Sequence, residues 1–286
     1  MNKTDLHTHS TVSDGTLTPT ELINKAAEIG LETIALTDHD TIEGVGEALE
    51  AAKAFPGLEV IAGTELSSLY KNREIHIVGL FLDLTNKEFV SALDDLKEKR
   101  IKRNKKMINK LRGLGLDLSY EELLSVSGGK VVTRAHFARL LQEKGYAESK
   151  NEAFLKYIGA GKPGYVKREV LTAEKAIALI KTGGGLPVVA HPFAYGFNID
   201  ELEQMAADFS CWGAVGMECY YSTHTEEETR LVLSLCRTYD LLPSGGSDFH
   251  GDNKPGLELG TGYGGLEVPR QILDDLKVKK YGKKIS

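Results

Sequence analysis

Asp5-Leu6-His7-Thr8-His9-Ser10, read together with Asp14, decides how the rest of the chain is understood. The residues before His7 read as a short first strand. Side-chain direction repeats every second residue along a strand, so His7 and His9 point the same way. Two imidazoles on one side of a strand end make a natural start for a metal site. The pair alone is equally compatible with two ordinary histidines, so the remainder of the chain has to be searched for partners.

Working outward, Thr18-Pro19-Thr20-Glu21 carries an N-cap, a proline at the first helical position and the acid of a capping box. Leu22, Ile23, Ala26 and Ala27 supply the apolar face of that helix, and Gly30 ends it. Thr33–Leu36 is a strand that delivers Thr37-Asp38-His39-Asp40 at its end. A helix over about Gly46–Ala54 follows. Glu59–Gly63 is the next strand, ending at Thr64-Glu65, and Glu74–Leu80 is another, with His76 inside it. Strands alternating with helices predict a largely parallel sheet or an α/β barrel. In such folds functional side chains collect at the C-terminal ends of strands.

The rhythm stops at about Asn86–Leu116, a long helical pattern rich in Lys and Arg between Lys97 and Arg112. Such a run reads as a solvated face or as a basic wall facing an anionic substrate. Helices are expected near Tyr120–Val126, Arg134–Glu143 and Asn151–Ile158. Residues 94–165 are thus expected to form a helical insertion, with Gly159–Gly164 as its exit linker. The barrel is expected from residues 1–93 and 166–286. It resumes with a helix over Ala173–Lys181 capped by Thr172. The strand Leu186–Ala190 leads to His191-Pro192, and a helix near Ile199–Asp208 follows. Next come a strand at Ala214–Tyr220, a helix over Thr225–Tyr239, and a strand from Leu241 that arrives at Ser247-Asp248-Phe249-His250. A last helix starts near Pro269 and enters a Lys-rich tail, Lys277 to Lys284, read as a solvated end.

The chain has 286 residues, enough for one large α/β domain with an insertion. Its net charge of −6 argues against a generally basic, duplex-coating protein. No apolar run is long enough to span a bilayer. With the first strand expected directly after Met1-Asn2-Lys3, no signal peptide is expected. Cys211, Cys219 and Cys236 match no zinc or redox spacing and read as buried thiols, so a cytoplasmic location is expected.

His7, His9, His39, His76, His191 and His250 all fall in or directly after strands, as do Glu65 and Asp248. Asp14 lies in the first strand–helix loop. Only His136 and His224 of the eight histidines are left over. Nine nitrogen and oxygen ligands exceed the need of one transition ion and suit two or three. Mixed His and carboxylate ligation fits Zn²⁺, Mn²⁺ or Fe²⁺ better than Ca²⁺ or Mg²⁺. Clustered ions generate hydroxide at neutral pH and stabilise the entering and leaving oxygens of an in-line displacement at phosphorus. The residues therefore point to a multinuclear metallohydrolase, with phosphate esters as the leading substrate class.

These motifs, D-L-H-T-H-S, T-D-H-D, G-T-E, E-I-H-I, A-H-P and G-S-D-F-H, resemble the PHP (polymerase and histidinol phosphatase) family across nearly the whole chain. The resemblance implies a distorted seven-stranded (β/α) TIM-like barrel with a trinuclear site. Carried over by position, His7, His9, Glu65 and Asp248 look like ligands of a first ion. Asp14, His39 and His250 look like ligands of a second, and Glu65, His76 and His191 like those of a third. The insertion is similar to that of the subgroup that hydrolyses nucleoside 3′,5′-bisphosphates to 5′-monophosphates. Related members act as 5′→3′ exonucleases on short RNA or DNA. The implied partners are thus nucleotides or short single strands, with no membrane and no obligate protein partner.

Within the insertion, Arg134 is expected to fork onto a phosphate while His136 donates a second hydrogen bond; a helix-surface pairing is the bland alternative for Arg134. Lys167 and Arg168 are weaker candidates. Asp40 is expected to orient His39 or a metal-held water. Tyr220, Tyr221 and His224 are candidates for holding a base or protonating a leaving oxygen, with core packing as the alternative. Competing functions are a histidinol-phosphate or other small-molecule phosphatase and a non-catalytic phosphate-binding or accessory subunit. An amidohydrolase is disfavoured because no metal-bridging lysine is evident.

Overall fold

A computed structural model describes residues 3–128 and 131–282. Met1, Asn2, Lys283 and Lys284 therefore lie outside the described residues. Seven strands form one sheet path: β1 (Lys3–Thr8), β2 (Leu31–Leu36), β3 (Glu59–Tyr70), β4 (Arg73–Leu80), β6 (Leu186–Val189), β7 (Gly216–Tyr221) and β8 (Leu242–Gly246). The short β5 (Leu171–Thr172) pairs with β3 off this path. Beyond β8, Asp248 N–H donates to the His7 carbonyl (2.8 Å), and His9 N–H donates to the Phe249 carbonyl (2.9 Å). These bonds bring the end of β8 back against β1, so the sheet is a nearly closed barrel.

Two departures from the expected strand plan shape the site. β3 does not stop near Gly63 but runs on to Tyr70, so Glu65 sits inside a strand rather than at its end. β4 then runs antiparallel to β3 and to β6. The turn between them, Lys71-Asn72, has φ of 45° and 64°. Positive φ at both central residues is the hairpin geometry that matches strand twist, and asparagine tolerates it well. Because β4 is reversed, His76 near its beginning stands opposite Ser67, on the side where the parallel strands end.

The helices follow from local chemistry. α1 (Pro19–Glu28) begins with both bonds of the Thr18/Glu21 capping box and buries Leu22, Ile23 and Ala26. α2 (Val45–Ala52) is slightly shorter than expected. α7 (Ala173–Thr182), α8 (Ile199–Trp212), α9 (Glu226–Thr238) and α10 (Arg270–Tyr281) cover the outer face. Cys219 and Cys236 are buried, but Cys211 is exposed. Its position in α8 lies off the buried Leu202, Met205, Ala206 and Phe209 stripe, which corrects the expectation of three buried thiols.

Between β4 and β5 come α3 (Lys87–Gly113), α4 (Tyr120–Val126), α5 (Arg134–Glu143), α6 (Lys150–Ala153) and a π-turn at Phe154–Ile158. α3 belongs to two cores. Phe89, Leu93 and Leu96 pack into the barrel. Met107, Ile108 and Leu111 pack with Phe137, Leu140, Leu141 and Ile158 in a separate cluster. One long helix thereby joins the helical segment to the barrel.

Candidate metal centre and phosphate cavity

The nine side chains singled out in the sequence come together. They fall into four overlapping groups, each with ligand atoms within 4.8 Å of one another: His9, Asp14, His39 and His250; His7, Glu65 and His191; His7, His9 and Asp248; and His39, Glu65 and His76. Glu65 is the hub. Its Oε2 lies 2.9 Å from His39 Nδ1 and 3.4 Å from Nε2 of both His7 and His9. Its Oε1 lies 2.9 Å from His76 Nδ1 and 3.0 Å from His191 Nε2. Burial alone would raise the Glu65 carboxyl, but the imidazoles of His76, His39 and His7 hold it well below the usual range.

The donor set fits cations. Six buried atoms of the cluster, His7 Nε2, His9 Nε2, Asp14 Oδ1, His39 Nδ1, Glu65 Oε2 and His191 Nδ1, have no hydrogen-bond partner among the described residues. Buried polar atoms are rarely left so unless something else satisfies them. Tautomers agree. His7 Nδ1 faces the Glu218 carboxylate at 2.8 Å, and His250 Nδ1 faces the Asp248 carbonyl at 2.8 Å. Both partners only accept, so each Nδ1 carries the hydrogen and each Nε2 lone pair is free.

A supporting shell fixes these groups. Glu218 also accepts from His191 N–H at 2.6 Å, so one carboxylate sets both a ring and a backbone turn. Asp5 accepts from Ser247 N, Ser247 Oγ and Gly260 N, tying β1 to the segment that carries Asp248. Asp38 accepts from Ser10 N (2.8 Å) and from the hydroxyls of Ser10 (2.6 Å) and Ser13 (2.5 Å), which shapes the loop leading to Asp14. Tyr221 donates to Asp248 Oδ2 at 2.8 Å, and Lys254 pairs with the same oxygen. Asp40, His191 and Asp248 adopt positive φ (53°, 26° and 57°). Such backbone costs on the order of 1–3 kcal/mol per residue and persists where surrounding contacts over-determine it.

Asp40 does not play the part expected of it. Its Oδ1 accepts from Ser67 N (2.9 Å); its Oδ2 takes Arg168 Nη1 (2.6 Å) and Arg100. Among the described residues it makes no hydrogen bond to His39. Desolvation would raise its carboxyl, but the Arg168 and Arg100 guanidiniums beside it hold it far below the usual range. The reason is α3. Its lysines at 99, 102, 105, 106 and 110 are exposed, yet Arg100 and Arg103, one turn apart, are buried against the barrel mouth. The basic helix is thus a solvated face on one side and a cationic wall on the other.

Arg134 and Arg168 join that wall. Arg134 Nη2 lies 3.4 Å from Glu74 Oε2, and Arg168 Nη2 lies 3.5 Å from Glu74 Oε1. Arg103 has no carboxylate partner among the described residues; its Nη1 donates to Met107 Sδ. Burial, with Arg100, Arg168 and Arg134 nearby, lowers its pKa. In this wall Arg100 and Arg168 share Asp40, Arg134 and Arg168 reach Glu74, and Arg103 is left without a carboxylate. A cavity of about 200 Å³ opens here, lined by Arg100, Arg103 and Arg134 and by Asp14, His39 and His76 of the cluster. His136 is 6% exposed and closes the capping box of α5, its Nδ1 accepting from Thr133 N–H at 3.0 Å. Its Nε2 therefore carries the hydrogen. Desolvation lowers its pKa to about 4.

Other candidates are placed differently. Lys167 is exposed, and Tyr220 packs half-buried between two cores. His224 Nδ1 faces the Cys219 carbonyl at 3.0 Å. The sequence reading left Arg100 and Arg103 undistinguished within a basic run read as a solvated face or a basic wall, and did not single out Glu218. Glu218 had a signal: a lone acid in the buried strand Gly216-Met217-Glu218-Cys219 needs a partner of opposite or donor character.

A nearly closed α/β barrel with buried histidines and carboxylates gathered at its strand ends defines a metal-dependent hydrolase. The PHP domain matches residues 5–166. The chain is 40% identical to a 5′-3′ exoribonuclease of Haemophilus influenzae, over 87% of this chain and 90% of that one. It is 34% identical to a 3′,5′-nucleoside bisphosphate phosphatase of Chromobacterium violaceum, over 91% of each. A crystal structure of a candidate metal-dependent phosphoesterase from Bifidobacterium adolescentis superposes with a TM-score of 0.84 at 27% identity, covering 98% of this chain and 96% of that one. The chain belongs to the PHP domain family of metal-dependent phosphoesterases, hydrolases that work with divalent ions. Among the described residues no helix is long and apolar enough to cross a membrane.

Proposed function

We propose that this protein hydrolyses nucleoside 3′,5′-bisphosphates to 5′-monophosphates and trims short oligonucleotides from the 5′ end. One observation carries the reading: the buried guanidinium of Arg103, with no carboxylate partner among the described residues, and the half-buried Arg134 line a cavity shared with Asp14, His39 and His76 of the nine-membered cluster of metal-ligand side chains. A substrate with two phosphates matches that pair of sites, one phosphate at each. His7, His9, Asp14, His39, Glu65, His76, His191, Asp248 and His250 would hold two or three divalent ions, with Mn²⁺, Zn²⁺ or Fe²⁺ matching the donors. Bound there, the ions supply Lewis-acid activation of water and neutralise charge at phosphorus.

The chain's own residues do the rest. Arg134 and Arg103 bind the phosphate that is not cleaved, and the fork of Arg134 sets its orientation. His136 offers Nε2–H as a neutral donor at pH 7. Arg100 and Arg168 hold Asp40 and keep the wall in place. Residues 94–165 cap the mouth and exclude water from the phosphate cavity. Turnover of a 3′,5′-bisphosphonucleoside with Mn²⁺, in competition with histidinol phosphate at equal concentration, tests the reading. Preferential release of phosphate from the nucleotide supports it. Preference for histidinol phosphate, or no turnover of the nucleotide, overturns it.

A further inference from the structure

The phosphate cavity, at about 200 Å³, has room for a phosphate group and falls below the roughly 300–1,000 Å³ of sites that hold whole small molecules. A larger groove, about 660 Å³, lies at the same end of the barrel, past the end of β7. Tyr220, Tyr221, Ser222, Thr229, Arg230 and Tyr263 are among its lining. The two spaces stand differently towards the metal-ligand cluster. The phosphate cavity reaches Asp14, His39 and His76 directly. The groove is one side chain away from the cluster: Tyr221, in its lining, donates to Asp248 and has its ring centroid 5.4 Å from that of His191.

Tyr263 is the exposed aromatic of this groove, at 56%. Its loop is anchored rather than loose. Glu258 N–H donates to the Gly262 carbonyl (2.8 Å), and Gly262 N–H donates to the Glu258 carbonyl (2.9 Å). Gly262 has φ of +57°, and a Cβ there would meet Ser222 Oγ at 2.6 Å. Ser222, the residue after Tyr221, donates to the Ser247 carbonyl at 2.6 Å. The backbone that carries Tyr263 is thus held, through Gly262 and Ser222, against the segment that leads to Asp248. The groove also carries Glu226 and Glu267, and Arg230 is already engaged by Glu226 at 3.5 Å. That rim suits a neutral base and ribose hydroxyls and disfavours a run of phosphates.

A phosphodiester differs from a monoester in carrying a second ester arm on its phosphorus. A site that cleaves both must leave room for that arm on the side away from the retained phosphate. We propose that the Tyr263 groove binds the nucleoside on the far side of the scissile phosphate, stacking its base on the Tyr263 ring; this rests on the nucleotide reading above. The groove then separates exonuclease from phosphatase activity within one centre. Because its rim is acidic, a single nucleoside beyond the cut supplies most of the recognition.

The experiment compares wild-type protein, Tyr263→Ala and Tyr263→Phe with Mn²⁺. The substrates are a nucleoside 3′,5′-bisphosphate, a 5′-phosphorylated dinucleotide and a 5′-phosphorylated pentanucleotide. Loss of one base-stacking ring predicts a roughly 5- to 100-fold fall in kcat/KM on both oligonucleotides for Tyr263→Ala. Bisphosphate hydrolysis stays within about twofold, and Tyr263→Phe, which keeps the ring, stays near wild type on all three. An equal fall on bisphosphate and dinucleotide, no fall on either, or a phenylalanine variant as poor as the alanine one overturns the groove assignment alone. Wild-type protein that leaves all three substrates intact overturns the parent reading, and the groove assignment with it.

Discussion

Glu218→Gln isolates the contribution of a carboxylate that touches no substrate. In the native chain Glu218 Oε1 lies 2.8 Å from His7 Nδ1 and Oε2 accepts from His191 N–H at 2.6 Å, with His7 fully buried and Glu218 2% exposed. Glutamine keeps one carbonyl acceptor but replaces the other oxygen by an NH₂ donor. One of the two bonds must fail, and the remaining one loses its charge. A buried hydrogen bond to a charged group contributes roughly 1.5–3 kcal/mol. At about 1.4 kcal/mol per tenfold, that corresponds to a roughly 10- to 100-fold weaker hold on the ion nearest His7, the range seen when partners behind metal ligands are removed. The assay is Mn²⁺ titration of metal-stripped protein, read by calorimetry and by recovery of phosphate-ester turnover. The expected result is a right-shifted titration for Glu218→Gln with turnover restored at saturating Mn²⁺. An unchanged titration, or turnover that stays low at any Mn²⁺ concentration, refutes the reasoning.

Three further outcomes are expected. Arg103→Met removes a buried cation that has no carboxylate partner, so it should raise KM for the bisphosphate about 10- to 100-fold while stabilising the metal-free fold by about 1 kcal/mol; urea unfolding and steady-state kinetics together check this, and a less stable variant with normal KM contradicts it. Asp40→Asn leaves Arg100 and Arg168 without their shared carboxylate and should destabilise the protein by about 3 kcal/mol or more; a change below about 1 kcal/mol in equilibrium unfolding would contradict it. His136 has a folded-state pKa of about 4, below its unfolded value near 6.5. The unfolded chain therefore binds the extra proton first, and stability from this group is intact above pH 6.5 and lost as pH falls towards 4. The loss is at most roughly 3 kcal/mol. Metal-stripped His136→Gln should lack that component in unfolding curves at pH 7.5 and 4.5, and a wild-type-minus-variant difference independent of pH would count against it.

Much of the barrel was legible in the sequence because its signals are local. The capping box at Thr18 and Glu21 and the apolar runs 33–36 and 186–190 depend on neighbours in the chain. The histidines at 7, 9, 39, 191 and 250 lie at or just after strand ends, and the α/β rhythm is enough to collect them at one face. The reversal of β4 was not legible. It depends on the Lys71-Asn72 turn and on β3 running to Tyr70, and the apolar pattern of β3 does not distinguish a stop at Gly63 from a hairpin. Arg100 and Arg103 were hidden among lysines of the same charge. Only the packing of α3 on the barrel decides which face of a basic helix is buried. Asp40 drew attention through its neighbour His39, yet its partners are contributed from 60 and 128 residues away. Glu218 is the converse case: a buried acid whose need for a partner was visible and whose partner was not.

Anomalous X-ray scattering from crystals soaked in Mn²⁺ tests the central claim most directly. Two or three manganese peaks enclosed by His7, His9, Asp14, His39, Glu65, His76, His191, Asp248 and His250, with Glu65 touching more than one, are the predicted result. A single peak, or manganese bound only elsewhere on the molecule, would contradict it.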